Sequence, residues 1–168
     1  MNSTVTAPSP YSNQQPATAR PSRRDPAIIP FVAQDLAAKV REWDGDNAAE
    51  HACDEYVAEL TAALEFHTDG YELAQELERS AHIFPDAALV EILDCASSVQ
   101  RKQWMAAIKQ WVPSCGLVPP PLNLTATDGR HLGTVISNDL DTATSVLQRP
   151  QDGMGSGLIV NWEDLTEA

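Results

Sequence analysis

The spacing of apolar residues changes once along this chain, and the change falls at a proline-rich boundary. From Ala27 to Val112 apolar side chains recur at three- and four-residue intervals, as in Val32, Leu36 and Val40, or Tyr56, Val57, Leu60, Ala63 and Leu64. That is the period of helices with one face against a core. After Pro113, Gly116 and the run Pro119-Pro120-Pro121, apolar residues gather in short β-prone runs: Leu132 to Ser137, Thr142 to Leu147, and Leu158 to Trp162. A chain with this shift is expected to be α+β, with a helical block first and a small β module second.

Breakers divide the helical block into about five helices. Pro30 suits a first turn. Asp44-Gly45-Asp46 ends the first helix near Trp43, and Asp46 or Asn47 can cap the second. His67-Thr68-Asp69-Gly70 ends the second, and Asp69 with Glu72 makes a variant capping box for the third. His82-Ile83-Phe84-Pro85 closes the third, Asp86 starts a fourth, and Ser97 or Ser98 can cap a fifth with the stripe Trp104, Met105, Ile108, Trp111 and Val112. Residues 1–26, rich in Pro, Ser and Thr and free of periodicity, are expected to be a disordered tail. Residues 27–112 are then the acidic helical domain, 113–121 a stiff Pro-rich linker and 122–168 the β module.

Sign of charge narrows the function. There are 24 acids against 11 bases, a net charge of −13. Such a chain repels phosphates and anionic membrane surfaces, so direct nucleic-acid and membrane partners are disfavoured and a basic protein is the natural one. The helical block carries 16 acids and 6 bases, and no Lys or Arg stands between Arg41 and Arg79. Acids recur four apart there, and like charges at that spacing on a helix cost about 0.2–0.5 kcal/mol per pair unless something basic covers them. Asp46, Glu50, Asp54, Glu55, Glu59, Glu72 and Glu76 are therefore the candidate partner-binding surface, with a spacing between successive turns that suits a mimic of nucleic-acid phosphates. The same ladder also suits a solvated helix face in a protein made soluble by its charge.

Trp104 and Trp111 share one helix face, which suits core packing or an aromatic anchor for a partner or a second copy. No catalytic constellation stands out. His51, His67, His82 and His131 are scattered, and Cys53, Cys95 and Cys115 carry no nucleophile signature. His51 and Cys53 point to different sides of a helix and chelate poorly, so no metal and no cofactor is expected. Gly153-Met154-Gly155-Ser156-Gly157 lacks the Lys-Ser/Thr ending and the following helix of a phosphate loop. The N-terminus has no apolar signal core, and the chain has no run long enough to cross a bilayer, so the cytoplasm is the expected compartment.

Gly133-Thr134-Val135, the turn Asp139-Leu140-Asp141, the strand Thr142 to Val146 and the closing Leu158 to Leu165 together resemble a small SH3-like barrel. The helical block resembles the small accessory proteins of bacteriophages and mobile elements. The resemblance implies a barrel at residues 122–168 and an accessory or inhibitory role, without functional residues of its own. The expectation is a non-enzymatic interaction protein that binds a basic, nucleic-acid-binding partner. An assembly subunit using the β module and the Trp face, or a small enzyme with a site formed only in space, are the alternatives.

Overall fold

The computed structural model describes residues 16, 18–45, 52–82, 84–153 and 156–168. The chain is mixed helix and sheet and divides into two compact units. One runs from Pro21 to Ala107; the other runs from Ile108 to Ala168 and includes Thr18, Ala19 and Arg20.

Among the described residues, four helices lie wholly within the first unit: α1 (Ile29–Asp44), α2 (Ala52–Leu64), α3 (Gly70–Ala81) and α4 (Ala87–Leu93). A fifth, α5 (Ala96–Ser114), starts in the first unit and continues through Ile108 into the second. The expected self-contained block of about five helices is corrected to four whole helices and part of a fifth, because α5 runs on unbroken until Pro113 in its last turn.

Local chemistry explains the boundaries. Pro30 opens α1, and Gly45 follows it with φ of 57°, a left-handed conformation suited to glycine. Asp69 caps α3 by accepting from the Tyr71 and Glu72 amides. The Glu72 carboxylate does not complete the box; it bonds His67 Nδ1 instead, at 3.0 Å. Asp86 caps α4 through the Leu89 amide at 2.8 Å. The 3-4 pattern is spent on one core: Val32, Leu36 and Val40 of α1 pack with Leu60 and Leu64 of α2, Leu73 and Leu77 of α3, and Leu89 and Leu93 of α4. Gly70 lets α3 approach the end of α4, where its amide donates to Asp94 Oδ1 at 3.0 Å.

The second unit holds β1 (Thr125–Thr127), β2 (Leu132–Asp139), β3 (Thr144–Gln148), β4 (Leu158–Asn161) and β5 (Thr166–Glu167), with a 3-10 turn at Trp162–Asp164. All pair antiparallel in the order β4-β3-β2-β1-β5. Val135 and Leu147 face each other across β2 and β3 and, with Ala126, Val160 and Leu165, form the core of this unit. The expected closed barrel is corrected to an open five-stranded sheet with β4 and β5 at its edges. Closure would require a ladder between them, but β4 has 4 residues, β5 has 2, and the 3-10 turn separates them.

Candidate functional site

Of the seven predicted acidic residues, Asp46 and Glu50 lie outside the described residues. Asp54 and Glu55 stand exposed in the first turn of α2, where negative charge also suits the helix dipole. Glu59 and Glu76 are brought together: with Ala62, Ala63, Phe66 and His67 they line a cleft of about 220 Å³. Glu72 stays exposed and is tied to the cleft through His67, and Glu76 holds Arg79 at 2.8 Å. Phe66 is 73 % exposed, an apolar ring set among carboxylates. Sequence reasoning missed Phe66, although its place at the end of an otherwise regular apolar stripe was the available signal. Two carboxylates beside an exposed ring suit a cation with an aliphatic or planar body, which is the chemistry of lysine and arginine.

Neither tryptophan presents a free indole. In the first unit, Trp104 is half-buried, donates Nε1 to the Pro21 carbonyl at 2.9 Å and carries the Arg23 guanidinium over its ring. In the second unit, Trp111 is 6 % exposed and donates Nε1 to the Thr18 carbonyl at 3.1 Å. The Arg20 guanidinium lies 5.5 Å from its ring centroid. Both indole faces are thus occupied by arginines of the chain's own N-terminal segment. Arginine cations over indole faces were legible only as two residue types far apart in sequence.

The Arg20 side chain is held by groups from two turns of the second unit. Nη1 reaches both Glu163 oxygens, at 2.9 and 2.7 Å, and Nη2 donates to the Thr142 carbonyl. Both side chains are largely buried, at 17 % and 11 % exposed. Glu163 sits in the 3-10 turn, and the Thr142 carbonyl is presented by the β2–β3 turn, where Ala143 takes a left-handed φ of 48°. The Trp162 amide, donating to the Ala143 carbonyl at 3.1 Å, ties the two turns together. A charge-assisted hydrogen bond contributes about 1.5–3 kcal/mol and a cation over an indole about 0.5–1 kcal/mol. Ordering each residue of the segment that carries Arg20 costs about 1–2 kcal/mol and opposes that gain.

A third site is a cleft of about 430 Å³ lined by Asp128, Arg130, His131, Leu158, Ile159, Val160, Asn161 and Asp164. Asp128 accepts from His131 Nδ1 at 3.0 Å and from the Arg130 and His131 amides at 2.8 and 2.6 Å. These donors, His131 foremost, hold its carboxyl down at a pKa of about 2. A carboxylate ionised at neutral pH orients the imidazole, but the lining offers no Ser, Thr, Cys or Lys as a nucleophile.

Among the described residues no group of His, Cys, Asp and Glu is arranged to hold a metal ion. Likewise, none of the described helices is long and apolar enough to cross a membrane. Against protein-family models, curated proteins and solved structures, the chain matches none.

Proposed function

We propose that this chain is a non-enzymatic interaction protein whose α2–α3 face receives a basic segment of a partner protein. The meeting of Glu59 and Glu76 beside the exposed Phe66 ring carries the reading. The excess of acid in the helical block supports it, since a basic partner relieves the repulsion between the carboxylates. For the C-terminal unit we infer an SH3-like module. Supporting this are the strand order, which sets the last strand beside the first, and the 3-10 turn before it.

The test uses the full chain and a labelled peptide alternating lysine or arginine with apolar residues, followed by fluorescence anisotropy. Binding is expected at about 0.1 M salt and should be lost by about 1 M, as the Debye length shortens from about 10 to about 3 Å. The Glu59→Gln/Glu76→Gln and Phe66→Ala variants should each weaken it. Binding that ignores these changes places the contact elsewhere and sinks the reading.

A small hydrolytic or proton-transfer enzyme is the second reading, favoured by the Asp128–His131 pair at the larger cleft. In that reading His131 acts as a general base on water, with Asp128 fixing its tautomer. Saturable pH-dependent turnover of a model ester, abolished by His131→Ala, is the result that would establish it in place of the first.

A further inference from the structure

We propose that the hollow formed by Trp111, Thr142 and Glu163 is an arginine-recognition site for a basic partner's extended segment, and that the chain's own Arg20 occupies it as an exchangeable latch. This goes beyond the α2–α3 face: it is a different surface, in the other unit, and does not depend on that face being functional.

The occupant itself shows the chemistry. Arg20 is read three ways at once: Nη1 donates to both oxygens of Glu163, Nη2 donates to the Thr142 carbonyl, and the guanidinium carbon lies over the Trp111 ring. A guanidinium serves Glu163 and the Thr142 carbonyl from two separate terminal nitrogens and offers the ring a flat, weakly hydrated cation, whereas an ammonium has one compact, strongly hydrated nitrogen. Thr18 adds a backbone and a hydroxyl contact. The Thr18 carbonyl accepts from Trp111 Nε1 at 3.1 Å, and Thr18 Oγ1 meets Cys115 Sγ at 3.4 Å. Thr18 and Ala19 are exposed. The recognition element is therefore an arginine two residues after an available carbonyl, with little demand on the residue between. Nothing in that element is peculiar to this chain's N-terminus, so a segment of the same kind from another protein fits the same hollow once Arg20 leaves.

The experiment compares the full chain with its Arg20→Ala variant, using a labelled peptide of sequence Pro-Ala-Thr-Ala-Arg-Pro, which copies residues 16–21. A latch that fills the hollow most of the time lowers apparent affinity by the fraction of time it is open. Arg20→Ala is accordingly expected to bind the peptide about tenfold or more tighter than the wild-type chain. Adding Glu163→Gln to Arg20→Ala should remove that gain, and a peptide with lysine in place of arginine should bind more weakly. An Arg20→Ala chain that keeps the wild-type circular dichroism spectrum yet binds no tighter overturns the proposal. So does a gain that survives Glu163→Gln or is equal for the lysine peptide. Should Arg20→Ala fail to fold, Arg20→Lys takes its place: its ammonium still meets Glu163 but has no second nitrogen for the Thr142 carbonyl. It must then bind the arginine peptide more tightly than wild type, and equal binding refutes the latch.

Discussion

Asp128 and Tyr56 are single residues whose ionisation is tied to the fold. Asp128 has a folded-state pKa of about 2 against an ordinary 3.8, chiefly because His131 donates to it. A depressed carboxyl pKa adds stability that is present above the ordinary value and is lost as pH falls toward the folded one. Denaturant unfolding monitored through the second unit should thus weaken between about pH 4 and pH 2, and Asp128→Asn should flatten that limb. Tyr56 behaves oppositely. Burial first, then its hydrogen bond to Asp44, push its pKa from 10.0 to about 12. A raised folded pKa adds stability that is complete below the ordinary value and is lost as pH rises toward the folded one. The first unit should therefore weaken between about pH 10 and pH 12, and Tyr56→Phe should remove this alkaline limb at a cost near neutrality of about 0.5–1.5 kcal/mol.

The α3–α4 junction is the most tightly specified element contact. A Cβ at Gly70 would stand 2.4 Å from Asp94 Oδ1 and 2.5 Å from the Val90 carbonyl oxygen, so a methyl there forces backbone apart. Gly70→Ala is expected to destabilise the first unit by about 1–3 kcal/mol, more than helix propensity alone would return. Asp69→Ala, one residue earlier, should cost about 1 kcal/mol by removing the cap that the Tyr71 and Glu72 amides share. Thermal unfolding of the two variants separates packing from capping. In the sheet, Gly133 plays a role like that of Gly70, since a Cβ there would meet the Gln148 carbonyl oxygen at 2.6 Å. Strand β4, by contrast, is an edge without charge or proline, and Ile159 on it is 71 % exposed.

For the whole molecule, charge sets the response to salt. With a net charge of −13, and its acids concentrated on helices, the folded chain repels itself. Raising salt from about 0.05 to about 0.5 M should raise the thermal midpoint, because screening shortens the reach of that repulsion more than it weakens the largely buried Arg20–Glu163 pair. A midpoint that falls with salt would show that attractive pairs outweigh the acidic face. The basic peptide should likewise stabilise the chain at low salt and lose its effect at high salt.

The sequence by itself determined the class of the fold and most of its helices. Apolar spacing placed α1 to α4 within a few residues, because a helix buries a repeating stripe and the stripe is written locally. Asp69 and Asp86 were legible as caps for the same reason: an acceptor needs only the amides two or three residues on. The acid excess of α2 and α3 was also plain, since charge is a matter of count. Tertiary structure alone decided the rest. Strands β1 and β5 are 3 and 2 residues long, too short to show alternation, and exist because β1 pairs with β2 and β5 pairs with β1. Whether the sheet closes depends on the lengths of β4 and β5 and on the turn between them, and no local pattern records that. Glu59 and Glu76 met with Phe66 only when α2 packed on α3. Arg20 found Glu163 across 143 positions of sequence, a pairing set by the path of the chain and by no spacing within it.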